Sequence, residues 1–187
     1  MSAKLSKDAA AARDTQILEA ARWCFLNFGF SKTSLEDIAR RAGISRSLLY
    51  RSFKDKEHLF VRVFEDLLMS GLPEARRAAE APGSRAERLA GVCQAVLLRP
   101  WVEMAAAPMA SEFQDVCSRL SPDVAAQQRA DVLRCIDAIL GDALASRVFL
   151  MALEGQLGDR PPADELRKRV AVLVERFAGP LAADGQP

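Results

Sequence analysis

The chain carries one histidine, His58, and one tyrosine, Tyr50. With a lone histidine among basic residues, and no Gly-rich phosphate loop, no Ser/His/Asp or Cys/His constellation can be assembled. The expectation is a protein that is not an enzyme and needs no cofactor. Cysteine is sparse and scattered: Cys24, Cys93, Cys117 and Cys135 form no C-x-x-C pair, so a zinc site would need four sulfurs from unrelated segments. No metal is expected. Each cysteine fits an apolar helical pattern and a packing role in a reducing compartment. A redox switch at Cys93, Cys117 or Cys135 is the rival reading, and it requires an exposed thiol of low pKa. No apolar run approaches the roughly eighteen residues of a membrane span, and Met1–Lys7 lacks the apolar core of a signal peptide. No membrane association and a cytoplasmic location are therefore expected. Strand-length alternation and internal repeats are absent as well, which leaves an all-helical chain.

Half of the residues are hydrophobic, enough for a sizeable core, and the net charge is only +1. That small total hides an asymmetry. Met1 to Phe64 holds twelve Lys/Arg against seven Asp/Glu, a net of +5; from Glu65 onward fourteen face eighteen, a net of −4. A basic front on an acidic body points to a polyanion as partner of the front alone.

Lys4 and Lys7 lie in a segment read as a solvated tail, with a loose phosphate-reaching arm as the alternative. From Asp8 to Phe28 apolar residues recur at Ile17, Ala21, Cys24 and Phe28, the spacing of an amphipathic helix, and Gly29 stops it. Ser34 with Asp37 three residues on fits a capping box at the head of a second short helix, with Thr33 a rival cap. Leu35, Ile38, Ala39 and Ala42 form its buried side, and Arg40 and Arg41 face outward. Gly43 sits where a left-handed backbone turns the chain sharply, and Ser45 caps a third helix held by Leu48 or Leu49 and Phe53. Arg46, Ser47, Tyr50 and Arg51 are left to face outward. Such a helix pair has one common use, seating its second helix in the DNA major groove. A fourth helix follows with Leu59, Phe60, Val63, Phe64, Leu67 and Leu68 inward, and Gly71 and Pro73 break it.

The run Ile17-Leu18-x-Ala20-Ala21, Phe25-x-x-x-Gly29-Phe30, Thr33-Ser34 and Ile38-Ala39-x-x-Ala42-Gly43-Ile44-Ser45 continues through Leu49-Tyr50-x-x-Phe53-Lys54-x-Lys56-Glu57-x-Leu59-Phe60. In these features residues Ile17 to Phe64 resemble the DNA-binding domain of the TetR family of bacterial regulators. Arg51 and Ser52 depart from it, standing where many relatives have an aromatic followed by His. The resemblance implies a helix-turn-helix DNA-binding domain, placed at residues 8–54, and a larger helical ligand-binding and dimerisation domain at 55–180. Within the latter, 55–72 is the connecting helix and 142–178 the dimerisation helices.

Hydroxyls, ammonium groups and helix N-termini hold phosphates, whereas base edges are read by side chains that reach into the groove. Thr33, Ser34, Tyr50, Lys54 and Lys56 are assigned to phosphates, although the Tyr50 ring, between Leu49 and Phe53, also suits the core. Arg46 is the leading candidate for a guanine contact, with Ser47 and Arg51 secondary.

The rest of the chain is helical and punctuated by Pro82-Gly83-Ser84, Pro100, Pro108, Ser121-Pro122, Gly141 and Gly158 to Pro162. Ser121 is expected to cap the helix that Pro122 begins. The resemblance implies a pocket for a small molecule; Cys93, Trp101, Met104, Met109 and Phe113 are its candidate lining, with Glu103 or Glu112 as polar members, and such a lining suits an apolar or amphipathic molecule. Plain core is the alternative for the same residues. The last two helices carry more apolar residues than a single buried stripe needs, so a second copy of the chain is expected against them. Phe149, Leu153, Leu166, Val170, Leu173 and Phe177 are the candidate interface, with a monomer core pair as the alternative. The expected function is a homodimeric repressor released from a palindromic double-stranded DNA operator by a small molecule. A helical adaptor without DNA binding would leave the Arg46–Arg51 surface unexplained.

Overall fold

The computed structural model describes residues 2–178, with the side chains of residues 2–9 and of Pro122 outside that description. The expected domain end at residue 180 also falls outside it. Among the described residues the chain is helical and has no strand. In order come α1 (Ser2–Phe28), α2 (Leu35–Arg41), α3 (Arg46–Ser52), α4 (Lys56–Met69), α5 (Leu72–Glu80) and α6 (Arg85–Cys93). A π turn, Gln94–Leu98, runs into α7 (Arg99–Ala105), and α8 (Ala110–Leu120), α9 (Pro122–Leu140), α10 (Ala143–Gly155) and α11 (Ala163–Ala178) follow. No helix among the described residues is long and apolar enough to cross a membrane.

Packing divides the chain into two compact units. One runs to Leu67 and adds Ala106–Val124; the other comprises Leu68–Ala105 and the chain from Ala125. The first is larger than the 8–54 domain expected from sequence. The reason is aromatic. Phe60 of α4 meets Phe25 at 5.1 Å, Phe30 at 5.2 Å and Phe113 of α8 at 4.8 Å between ring centroids. Such pairs add about 0.5–1.5 kcal/mol each beyond their burial, so the first turns of α4 and all of α8 belong with α1–α3. The helix α1 starts at Ser2 rather than near Asp8. Its inward stripe is Ile17, Ala21, Cys24 and Phe25, while Phe28, expected on that stripe, is half exposed and lies edge-on to Trp23. Gly29 leaves the helix at φ 85°, a conformation only glycine adopts freely. A Cβ there would also collide with the Glu112 carboxylate.

The second unit has its own core, in which Leu72, Leu89, Val92, Cys93, Ile136, Phe149, Leu153 and Leu166 are among the buried members. Ser84 with Glu87 builds a capping box for α6, and the Asp142 carboxylate caps α10 by accepting from the N–H groups of Leu144 and Ala145 at 2.8 and 2.9 Å. Pro100 does not end the helix that precedes it. Having no N–H, it cannot bond a carbonyl one α-turn back. The chain widens just before it into the π turn, where the Arg99 N–H reaches the Gln94 carbonyl, and then resumes as α7. Ser121 corrects another expectation. Its N–H closes the end of α8 on the Cys117 carbonyl at 3.0 Å, and its buried hydroxyl makes no hydrogen bond and caps nothing.

Candidate nucleic-acid interface and ligand cavity

The pair α2–α3 is held by short-range bonds that the sequence specifies. The Ser34 hydroxyl accepts from the Asp37 N–H at 3.1 Å, and the Asp37 carboxylate accepts from the Ser34 N–H at 3.1 Å and from its hydroxyl at 2.5 Å. Those bonds hold the Asp37 carboxyl below its ordinary range. Gly43 takes φ 64°, which lets its own N–H return to the Arg40 carbonyl and the Ile44 N–H to Ala39. Gln16 of α1 donates to the Ala42 carbonyl at 2.8 Å and pins the turn from outside the pair. Ser45 then caps α3 by accepting from the Leu48 N–H at 3.3 Å.

Buried Leu49 and Phe53 anchor α3 and its exit, and Leu48 is half buried. Arg46, Ser47, Tyr50 and Arg51 occupy the opposite, exposed face, as their one-and-four spacing requires. The Tyr50 ring is 48% exposed, so it is not core. The Arg46 guanidinium lies 3.3 Å from Glu36, both side chains 59% exposed. The Tyr50 hydroxyl and then Glu36 push its pKa above the ordinary value. An exposed pair of this kind is weak because water screens it, so Arg46 is charged, presented and cheaply released. Lys54 is exposed just past Phe53. Arg40 pairs with Asp37 at 3.1 Å, and Arg41 stacks over the Trp23 ring at 3.3 Å.

Two candidate phosphate contacts turn out differently. Thr33 is buried, and its hydroxyl donates to the Gly29 carbonyl at 2.7 Å and lies 3.3 Å from that of Cys24, so it offers no donor to a ligand. The Lys56 ammonium is half buried over the Phe30 ring and donates to the carbonyls of Phe30 at 2.8 Å and Thr33 at 3.0 Å. Both staple the segment between α1 and α2 rather than face outward. Ser34 is exposed, but its hydroxyl proton is directed at Asp37.

The candidate pocket residues also separate. Trp101 and Met104 line a cavity of about 180 Å³ in the second unit, together with Leu68, Val96, Leu97, Pro100, Val132, Leu150, Leu153 and Leu157. Its polar lining is Gln128 and Glu154, neither of which the sequence singled out, because they stand on the charged sides of amphipathic helices. The Trp101 ring is fixed by donation from its N–H to the Pro161 carbonyl at 3.0 Å. Cys93 is buried in the core and does not line the cavity. Met109 and Phe113 belong to the first unit, where the Met109 N–H bonds the Leu26 carbonyl at 2.9 Å and Phe113 packs on Phe60. Glu112 is likewise engaged there, accepting from the Ser31 N–H and hydroxyl at 3.0 and 2.9 Å. As for thiol reactivity, burial pushes the pKa of both Cys93 and Cys117 up to about 12, and that of Cys135 upward. A reactive thiolate needs the opposite shift.

The candidate dimer contacts are corrected as well. Phe149, Leu153, Leu166 and Val170 are buried within the chain's own core. Leu173 and Phe177 are half buried against that core, with Phe177 5.2 Å from Phe149. Among the described residues of the last two helices, the large apolar side chains left exposed are instead Leu144, Val148 and Met151 of α10 and Val172 of α11, between 46% and 64% exposed. The first three are spaced to lie along one helix face.

Comparison with known proteins bears on this geometry. Residues 17–63 match the family model described as bacterial regulatory proteins, tetR family. The HTH-type transcriptional repressor Rv1474c of Mycobacterium tuberculosis is 28% identical over 98% of this chain and 90% of its own length. A TetR family transcription regulator from Marinobacter aquaeolei superposes with a TM-score of 0.66 at 19% identity, over 92% of this chain and 96% of that one. SmeT, the repressor of the Stenotrophomonas maltophilia multidrug efflux pump SmeDEF, gives 0.63 at 21% identity, over 92% and 91%. The two structural likenesses concern the fold.

Proposed function

The chain belongs to the tetR family of bacterial regulatory proteins, which are DNA-binding transcriptional regulators, and from that premise we propose that it is a homodimeric repressor released from a palindromic operator by a small molecule. The observation that carries this reading is the outer face of α3. Arg46, Ser47 and Arg51 stand free of the core for base edges, with Tyr50 and Lys54 placed for phosphates. Thr33, Ser34 and Lys56 drop out of the phosphate set because their donors serve the chain's own carbonyls or, for Ser34, the Asp37 carboxylate.

One such helix reads a half-site. Two copies reading a palindrome must hold their α3 helices about 34–36 Å apart, or a multiple of that spacing. The stripe Leu144, Val148 and Met151, with Val172, is the surface we assign to the second copy, in place of the residues expected from sequence. The cavity beside Trp101 and Met104 is the effector site in this reading, and its ligand acts only by binding the DNA-competent and DNA-free states unequally. The relative Rv1474c is named as a repressor, which supports the sign of the effect.

Selection of bound duplexes from a random pool at physiological salt tests the reading. A palindromic consensus is the expected outcome. An enriched single half-site would sink the dimer, and no enrichment would sink sequence-specific reading altogether.

A further inference from the structure

We propose that the cavity of the second unit takes a small hydrophobic cation, with Glu154 as its counter-charge; the assignment rests on the reading of that cavity as the effector site. Its walls are aliphatic apart from Trp101, Met104, Gln128 and Glu154, and Glu154 is the one charged residue in the lining. The balancing Arg129 stands outside the lining, 3.0 Å from the carboxylate, with half of its side chain exposed. The carboxylate, 42% exposed, thus sits at the rim between the apolar interior and water.

Charge decides which ligands fit. An anion entering this space would meet a carboxylate and no cationic lining residue, and a buried like-charge pair is costly. A cation would find a carboxylate that Arg129 compensates only in part, since burial raises the Glu154 pKa in spite of that partner. Trp101 adds an immobilised aromatic wall, a surface that favours cations. Size limits the ligand further. An engineered cavity of about 150 Å³ holds benzene, so about 180 Å³ suits one ring or a short branched chain with a compact ammonium head.

The wall is also held in place. Val96 and Leu97 stand on the π turn, a distortion common at functional sites. Gly71 packs so closely on it that a Cβ would strike the Ala95 carbonyl.

The test is calorimetric titration of the full chain, without DNA, using three probes: benzyltrimethylammonium, its neutral isostere neopentylbenzene, and phenylacetate. The cation should bind about tenfold more tightly than the isostere, the worth of a charge-assisted contact, and phenylacetate should bind weakest. Glu154→Gln should erase the preference for the cation. Arg129→Gln, which frees the carboxylate, should enlarge it severalfold, and neither change should move the affinity of the isostere. Equal binding of cation and isostere, or a cation preference that survives Glu154→Gln, overturns the charge assignment while leaving the cavity a ligand site. Binding of none of the probes overturns both. Tight cation binding that leaves operator affinity untouched supports this proposal and removes only the regulatory role of the cavity.

Discussion

The helices α3 and α10 are both amphipathic and both capped by a side chain, Ser45 in one and Asp142 in the other. Their exposed faces nevertheless carry opposite chemistry. On α3 every large apolar residue turns inward, leaving Arg46, Ser47, Tyr50 and Arg51 at the surface; on α10 buried Phe149, Leu150 and Leu153 leave Leu144, Val148 and Met151 outside. A face of cations and hydroxyls suits a polyanion and gives salt-dependent binding. An apolar stripe suits a protein surface, and its association does not weaken as salt rises. One construction, a buried anchor stripe with the opposite face free to specialise, produces both surfaces.

The strongest way to break the comparison is to remove the anchors beneath it. Phe60→Ala in the first unit and Phe149→Ala in the second each delete a fully buried ring, and each should cost about 3–5 kcal/mol of unfolding free energy in a urea titration. A cost below about 1 kcal/mol at either site would show that the deleted ring is not what holds that unit. Next comes the apolar face itself. Val148→Asp places a charge on each copy's stripe and should weaken self-association by roughly a hundredfold or more, measured by sedimentation. The same substitution should leave the helical content of the monomer unchanged, since Val148 is 46% exposed. An unchanged oligomeric state would remove the stripe from the interface.

Arg46→Ala addresses the other face. It should lose about 1–3 kcal/mol of discrimination at one base-pair position, read from binding to single-substitution operators, while affinity for unrelated duplexes stays nearly constant. Uniform weakening on all duplexes would place Arg46 on phosphates instead.

How much of this was legible in the sequence follows from how local each feature is. The α2–turn–α3 unit is written within a few residues: Ser34 and Asp37 close a capping box, Gly43 supplies the left-handed turn, and Ser45 caps α3. Those positions read correctly because their partners are three to five residues away. Lys56 and Glu112 did not, because their partners at Phe30, Thr33 and Ser31 are 23 to 81 residues distant. The faces of α10 failed for a different reason. When a helix is apolar on two sides, spacing separates the faces but cannot say which one meets its own core. The cavity is a space that α7, α9, α10 and the π turn leave unfilled together, so Glu154 becomes a lining residue only once they are packed.

The smallest expected effect separates two lysines that look alike in sequence. Lys54 is exposed and belongs to the α3 face in our reading, so Lys54→Ala should lower the slope of log affinity against log salt by about 0.9 without changing stability. Lys56→Ala should do the reverse. Removing its ammonium strips a donor from the Phe30 and Thr33 carbonyls, a loss of about 1–3 kcal/mol in folding, and leaves the salt slope where it was. A fall in slope with Lys56→Ala and none with Lys54→Ala would restore Lys56 as a phosphate contact, because an ammonium that releases a counterion must face the DNA. The stapling of Phe30 to Thr33 would then describe the DNA-free state alone, and the segment between α1 and α2 would have to open when the operator binds.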